Sequence, residues 1–567
     1  MPYRAPVKDI RFILDHVVDF ARVVATPRFA EATPDMAEAI LIEAGRIATD
    51  VLAPLNRSGD KHPARLENGA VVSSPGFAEG YRAIAGGGWV GMAASTDHGG
   101  MGLPIALALA VDDMMSGACL ALHLKPLLSK GQIEALEHHA SDKIKALYLP
   151  KLTSGEWSGT MNLTEPQAGS DVGALRSRAV PNGDGSYAIS GQKIFITWGD
   201  SDLVSNVCHL VLARLPDGQE GTKGISLFMV PKFIPDAAGN PGRRNTLRVV
   251  SLEHKLGIHG SPTCVMQFDG ATGWLVGKPH KGMAAMFTMM NNARLSVAAQ
   301  GVGVAEAALQ HALAYAADRK QGATLLSPDG AIIDHADVRR MLATMRAEVF
   351  AARSIALSCA VAIDLATATG SAEWQARAAL LTPIAKAYGT DIGCEVAHLG
   401  VQIHGGMGFV EETGAAQYLR DARITPIYEG TNGIQAMDLV ARKMADRGEA
   451  AFRLIDEVQR DAEAARLGFA DLAGDVWQAS ETLRETTEAL LAQPLNDRFA
   501  GAVPYLRGFA RVLGGHAHLK AALADVAREP LARVMIRRLM PEHVALFVQS
   551  REGADGLYAL THEDFAA

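Results

Sequence analysis

The sequence predicts an α+β protein in four consecutive segments: helical, strand-rich, helical and helical again. Three observations carry this. Alanine-rich stretches with apolar residues at helical spacing occupy both flanks, and short β-branched runs separated by turn residues fill the middle. A further helical stretch follows where a third segment could already have ended. The expected boundaries are 1–159 for an N-terminal helical domain, 160–281 for a central β-domain, 282–446 for a helical-bundle domain and 447–567 for a C-terminal helical extension.

From Pro6 to about Gly159 the pattern is helical, as in MAEAILIEAGRIATDVLAPL, broken by GGGWVGMAASTDHGGMGLP, whose glycines demand a loop. Between Thr160 and Lys281 come NGDGSYAIS, KIFITWGD, CHLVLARLPDGQ, GISLFMVPK and TCVMQFDGATGWLVG, alternating runs with Asn-Gly and Asp-Gly turns that predict strands and hairpins. After Gly282 the helical period returns. In the helix opened by Asp334, Val338, Leu342, Met345 and Val349 share one face, which predicts burial of that face. From about Arg447 a further alanine- and leucine-rich segment, reached through DRGEAAFRL, is long enough to be a domain of its own. No repeat of fixed period and no low-complexity tract is present.

Composition narrows the function classes. The 567 residues include 54 Lys+Arg and 62 Asp+Glu, a net charge of −8, with 48% hydrophobic and 20% charged residues. A chain of this kind folds around a large core and is neither disordered nor disulfide-stapled. The acidic balance and the lack of a basic block argue against nucleic acid as a partner. Five dispersed cysteines without a C-x-x-C pair read as reduced core thiols. The N-terminus shows no signal h-region and no uncharged run approaches a bilayer span, so the expected location is the cytoplasm, with no membrane partner.

The common nucleotide and metal signatures fail. Pro279 after Gly277-Lys278 stands where a P-loop needs Ser or Thr. Gly301-Val302-Gly303 lacks a third glycine and a preceding strand, so it reads as a close contact of helices rather than a dinucleotide site. His138-His139 and His335 have no partner at metal-ligand spacing, and neither H-E-x-x-H nor G-x-S-x-G occurs. No metal site is expected.

Three other segments are more specific: MNLTEPQAGSDVGALRSRAV at 161–180, GQKIFITWGD at 191–200, and HLGVQIHGGMGFVEETGAAQYLRDARITPIYEGTNGIQ at 398–435. Together they resemble the acyl-CoA dehydrogenase family, over about Gly80 to Lys443. The resemblance implies that family's fold, an FAD cofactor and an acyl-CoA substrate. It implies that Leu163 and Thr164 face the flavin ring, that Gly169 and Ser170 meet its pyrophosphate, and that Phe195 and Thr197 contact the ring and its N5 edge. Read without the resemblance, Phe195 is an inward-facing strand residue. The Q-x-x-G-G-x-G-F turn implies flavin contacts from Gln402, Gly405 and Gly406 to a neighbouring subunit, joined by Arg319, although Gln321-Gly322 replaces the family's commoner Thr-Phe. In EHKLGIHGSPTCVMQFDGATGWLVG, His259 replaces the usual Arg.

The run ending in I-Y-E-G-T implies that Glu429 is the catalytic base, with Tyr428 and Gly430 beside the substrate and Thr431 at the cofactor. Ser170 and Arg294 are further substrate-binding positions by the same match, and Asn291 stands where relatives often carry Asp. The chemistry agrees with a carboxylate in this role. Dehydrogenation of Cα–Cβ needs removal of a proton beside a carbonyl, and burial raises a carboxylate toward the pKa of an effective base. Hydrogen bonds to the thioester oxygen acidify that proton, and the family draws one of them from the N–H of the glutamate itself. Without the match, Glu429 is a residue that ends a strand or caps a helix.

Ordinary members are about two-thirds of this length and long members carry such a tail; the combination of MNLTEP, EGTKGISLFMVPKF, HKLGIHGSPTCVMQFDGATGWLVG and ADRKQG is similar to a long bacterial branch acting on a short thioether-bearing acyl-CoA. The resemblance further implies an electron-transfer flavoprotein as acceptor and a homodimer or homotetramer. Two relatives of the same fold remain as alternatives: a DNA-binding alkylation-response flavoprotein and an oxygen-using acyl-CoA oxidase.

Overall fold

The computed structural model describes residues 3–326 and 328–566, with the side chains of Asn291 and Asn292 outside the description, so the expectation for Asn291 falls outside the described residues. The backbone packs into two compact units. One comprises Arg46–Leu103 and Ala118–Ala293, the other Met1–Gly45, Pro104–Gly117 and Arg294–Ala567. The division falls inside two long helices, α1 (Ile105–His139) and α2 (Gly282–Asp318).

The first unit is built on a seven-stranded sheet. A hairpin of β1 (Arg65–Glu67) and β2 (Ala70–Val72) precedes it, turning at Asn68 and Gly69, both at positive φ. The helical reading of the N-terminal segment passed over this hairpin, although Asn-Gly is its expected turn. The sheet contains β3 (Trp157–Asn162), β4 (Arg178–Pro181), β5 (Tyr187–Thr197), β6 (Asn206–Arg214) and β7 (Ile225–Pro231). After a separate two-stranded pair, β8 (Phe233–Pro235) and β9 (Pro241–Arg244), come β10 (Leu247–Leu252) and β11 (Thr263–Val276). The order is β10-β11-β5-β4-β6-β3, with β7 pairing both β11 and β6.

The run CHLVLA lies in β6, and its residues are buried throughout because the strand is central and covered on both faces. Asn182-Gly183-Asp184-Gly185 turns β4 into β5, the Asn182 N–H donating to Ser186 O at 3.0 Å. Asp269-Gly270, expected to turn the chain, instead forms a bulge inside the continuous β11, where Gly270 takes φ 72° and the register shifts. Ile189, Ile196, Val211, Phe228, Met266 and Phe268 form the core of this sheet. His259, the departure from the family pattern, is a local tie. One ring nitrogen donates to Lys255 O at 2.9 Å and the other lies 2.9 Å from the Asp60 carboxylate.

The second unit is helical. Besides the C-terminal part of α2 it contains α3 (Ala336–Thr369), α4 (Ala372–His404) and α5 (Asn432–Ala441). Leu342, Met345 and Val349 are buried on α3 as their spacing requires, while Val338 is half-buried. Gly301 and Gly303 are close-contact residues. A Cβ at Gly301 meets Gly389 O at 2.3 Å, and one at Gly303 meets Asp113 O at 2.3 Å. Because both obstacles are backbone, Gly303→Ala is expected to cost about 1–3 kcal/mol, read as a lowered thermal midpoint.

The C-terminal extension lies in this unit. Its helices α6 (Glu449–Ala492, interrupted at Phe469) and α7 (Ala502–Ala524) pack on α3, α4 and α5. Charged side chains tie it there. Arg511 pairs with Glu348, Arg507 reaches Glu395 at 2.5 Å, and Arg377 donates to Glu457 at 2.9 Å. His518 Nε2 donates to Ala347 O at 3.0 Å.

Among the described residues α1 and α3 are long and apolar enough to cross a membrane, because a few charges do not outweigh their apolar content. Most of each apolar window is buried inside the fold.

Candidate active site

In the sheet unit, the segment after β3 is fastened to β5 by one buried ion pair. The Glu165 carboxylate accepts from Lys193 Nζ at 2.8 Å, Gln167 Nε2 at 2.7 Å, and the backbone N–H groups of Arg176 and Ser177 at 2.6 and 3.0 Å. Burial alone raises a carboxylate, but the Lys193 ammonium and these donors overcome it and hold Glu165 at about 2. Lys193 Nζ also donates to Leu163 O at 3.0 Å, and the Ile194 N–H to Thr164 O at 2.9 Å. Leu163 and Thr164 are thereby pinned alongside the strand that carries Phe195 and Thr197.

Phe195 does not face inward as an ordinary strand residue does. Its side chain is 60% exposed and its backbone has φ 59°. An exposed aromatic on a backbone conformation unfavourable to any residue with a Cβ marks a surface prepared for a flat apolar ligand. Trp198 also has positive φ, but it is buried and its Nε1 donates to Ala121 O at 3.2 Å, which anchors the end of β5. Thr197, Leu163 and Thr164 are half-buried, and Gly169 and Ser170 are exposed, with open space where a Cβ of Gly169 would stand.

In the helical unit, Glu429 lies in the turn that leads into α5. Both Glu429 and Gly430 have positive φ, 55° and 87°. A Cβ at Gly430 meets Gln435 Nε2 at 2.7 Å, so only glycine fits there. The strained turn is held on several sides. The Asn432 N–H donates to Pro426 O at 3.1 Å, and Gln435 Nε2 donates to the carbonyls of Glu429 and Gly430 at 3.2 and 3.3 Å. Lys386 Nζ donates to Gly430 O at 2.9 Å. Thr431 Oγ1 accepts from the Ile434 N–H at 3.4 Å and caps α5, while its own proton stays available. The Glu429 N–H has no acceptor among the described residues, which leaves a donor beside the carboxylate.

Burial pushes the Glu429 carboxyl up to about 7, against the opposing pull of Arg294 and Lys386. Arg294 on α2 is buried and donates to Asp438 at 3.1 Å, with its Nε unpartnered among the described residues. The Tyr428 hydroxyl donates to Gln300 Oε1. Glu429, Tyr428, Gly430, Thr431 and Arg294 therefore form one cluster. This half-buried carboxylate, raised toward neutrality next to a free N–H, can take a proton from carbon beside a carbonyl that the N–H polarises.

The remaining predicted residues are elsewhere. Gln402 is 16 residues beyond Lys386 on α4, about 24 Å away at 1.5 Å per residue. Gln402, Gly405 and Gly406 are exposed there, followed by Phe409 at 90% exposure. His404 stacks on Tyr315 near the end of α2, so the exposed Arg319 shares that end of the unit. The chain thus keeps this second group away from its own Glu429. Lys193, Lys386 and Gln300 were not singled out in the sequence. Lys386 and Gln300 are lone polar residues in apolar runs and Lys193 follows Gln192 in an alternating strand, and nothing local names the partner of any of them. No cluster of three or more potential metal ligands is present among the described residues.

Family models match almost the whole chain: "Acyl-CoA dehydrogenase, N-terminal domain" over 37–156, the middle domain over 160–271, the C-terminal domain over 280–444, and "Acetyl-CoA dehydrogenase C-terminal like" over 454–560. The sequence is 47% identical to a 3-methylmercaptopropionyl-CoA dehydrogenase of Ruegeria pomeroyi, over 89% of this chain and 88% of that one. The chain belongs to the acyl-CoA dehydrogenase family. It is also 34% identical to a broad-specificity linear acyl-CoA dehydrogenase of Mycobacterium tuberculosis, over 92% of this chain and 85% of the relative. The crystal structure of an acyl-CoA dehydrogenase from Bacillus anthracis complexed with FAD has the same fold, with a TM-score of 0.76, 20% identity and coverage of 98% and 94%. This acyl-CoA dehydrogenase is accordingly an FAD-dependent oxidoreductase. The exposed Phe195 ring, the half-buried Leu163, Thr164 and Thr197 beside it, and the open backbone at Gly169 fit such a cofactor.

Proposed function

We propose that this enzyme oxidises short- or medium-chain acyl-CoA thioesters, 3-methylmercaptopropionyl-CoA among them, to trans-2-enoyl-CoA, with Glu429 as the base and an electron-transfer flavoprotein as acceptor. The observation that carries the reading is the strained, half-buried Glu429, raised toward neutrality and placed beside its own free N–H. FAD, when bound, supplies the acceptor for the β-hydrogen. Glu429 removes the α-proton from the thioester, and its N–H hydrogen-bonds the carbonyl oxygen on which charge develops. Arg294, Tyr428, Gly430 and Ser170 are the proposed substrate contacts. The 47% identity to a 3-methylmercaptopropionyl-CoA dehydrogenase supports the thioether substrate.

Leu163, Thr164, Gly169, Ser170, Phe195, Thr197 and Thr431 are proposed as cofactor contacts in the same chain. Gln402, Gly405, Gly406 and Arg319 are proposed to serve the FAD of a neighbouring subunit. Their distance from this chain's Glu429 along α4 supports that division. Their role requires at least a homodimer. The extension covers faces of α3 and α4 and is proposed to favour the dimer over a tetramer. Loss of residues 447–567 is expected to change the number of subunits per particle derived from the mass by light scattering, and an unchanged subunit number contradicts this role. The four buried free cysteines support a reducing compartment, and the cytoplasm is the proposed location.

A pH profile tests the base directly. The carboxylate must be ionised to accept a proton, so kcat/KM is expected to rise with pH through about 7, the value to which burial pushes Glu429. A rate independent of pH between 5.5 and 8.5, roughly the range over which such a group titrates, counts against Glu429 as the base.

A further inference from the structure

We propose that Lys386, in the middle of α4, is the positioning residue that fixes Glu429 for proton abstraction, by clamping the carbonyl that follows it and the side chain that opens α5. This rests on the reading of Glu429 as the base.

The geometry supports a clamp rather than an incidental contact. Lys386 is fully buried, and its ammonium donates to Gly430 O and to Asn432 Oδ1, each at 2.9 Å. Asn432 in turn donates to Ala387 O at 3.1 Å, Thr390 Oγ1 at 2.9 Å and Asp391 Oδ1 at 2.7 Å. Gly430 of the strained pair and Asn432 just beyond it are thus tied to a single stretch of helix, 386–391. Positive φ at two successive residues is costly for Glu429 and persists only where the surroundings impose it. Gln435 holds the Gly430 carbonyl, and with it that of Glu429, from the α5 side, so the turn is gripped between two helices.

A structural lysine in this place costs more than a neutral residue. Burial pulls the Lys386 amine down to about 8, and an amide or hydroxyl could donate to a carbonyl without that penalty. The positive charge has a second consequence. It faces the Glu429 carboxylate, together with Arg294 on α2, and both oppose the rise that burial causes. The other charged groups around the clamp are Asp391 and Glu395 on α4 and Arg507 on α7. Arg507 and Arg511 bind α4 and α3 to the extension through Glu395, Tyr388 and Glu348. The helix that carries the clamp is therefore itself braced by the C-terminal segment.

The test uses the full-length, FAD-loaded enzyme carrying Lys386→Met, Lys386→Arg or Asn432→Ala. Two quantities are read: steady-state turnover, and exchange of the α-protons of acetyl-CoA with D2O, followed by NMR across pH. Acetyl-CoA has no β-carbon, so its exchange reports the base alone. Lys386→Met is expected to lower kcat and the exchange rate by about 10–10²-fold, the scale of a small misplacement of a reacting group. KM for acyl-CoA stays within about threefold, a change too small to account for that loss. The exchange midpoint moves to higher pH because a neighbouring cation is lost. Lys386→Arg restores part of the rate and returns the midpoint toward the wild-type value. Asn432→Ala lowers the rate without moving the midpoint, because it keeps the charge. Wild-type kcat and midpoint in soluble Lys386→Met overturn the proposal. If that variant does not fold, Asn432→Ala and Lys386→Arg decide, and wild-type kcat in both overturns it. Glu429→Gln separates the two readings. If it still exchanges α-protons, the base has been misassigned, whereas loss of exchange in Glu429→Gln with none in Lys386→Met leaves the base in place and removes only the clamp.

Discussion

Replacing Glu429 by Gln is expected to leave a yellow, FAD-loaded protein that binds acyl-CoA but turns it over about 10²–10⁴-fold more slowly, the range attributed to a positioned general base. The amide is nearly isosteric and keeps the backbone turn, so the loss isolates the carboxylate. KM is expected to change little, because the Glu429 N–H remains and still donates to the thioester. Glu429→Asp keeps the charge but withdraws it by one methylene. Its rate is expected to lie between the two, with the pH midpoint still governed by burial. Turnover by Glu429→Gln within tenfold of wild type, below the least effect expected of a general base, assigns the proton to another group.

The largest expected effect on stability is at Lys193. It is fully buried and Glu165 nearly so, and the pair joins the segment after β3 to β5. Lys193→Met leaves the Glu165 charge buried without its cation, and about 3–5 kcal/mol of stability is expected to be lost. Leu163 and Thr164 lose their tie in the same step, so FAD retention on gel filtration should fall along with the thermal midpoint. The pair Glu165→Leu with Lys193→Met removes both charges, and it should recover much of the stability without restoring the backbone ties. The acid dependence follows from the direction of the shift. Glu165 is held at about 2 against its usual 4.5, so its contribution is present above about 4.5 and is lost as pH falls toward 2. Wild-type chemical denaturation between pH 6 and about pH 3 should show that loss, and Lys193→Met should show less of it.

Strand and helix patterns were legible where one physical signal dominated. The alternating runs of β5 and β11 and the apolar run of β6 need no partner to be recognised, and neither does the buried stripe of α3. What was not legible depends on separation in the chain. Glu165 meets Lys193 across 28 residues, and Lys386 meets Gly430 across 44, and neither distance leaves a local pattern. Phe195 shows the converse. By alternation it belongs inside, yet positive φ at Phe195 and Trp198 turns the end of β5 so that Trp198 is buried and Phe195 is exposed. The helices of the extension are legible because they are amphipathic by themselves, but the packing of their apolar faces, with Arg507 and Arg511, on α3 and α4 leaves no local pattern.

The most direct test of the central claim is an anaerobic titration of the purified protein, followed by its visible spectrum. Acyl-CoA esters of increasing chain length are added, with 3-methylmercaptopropionyl-CoA and butyryl-CoA among them. The oxidised flavin absorbance is expected to fall with the short esters, trans-2-enoyl-CoA to be recovered, and Glu429→Gln to show neither. A protein that stays yellow with every ester, or a Glu429→Gln variant that bleaches as fast as wild type, contradicts the claim.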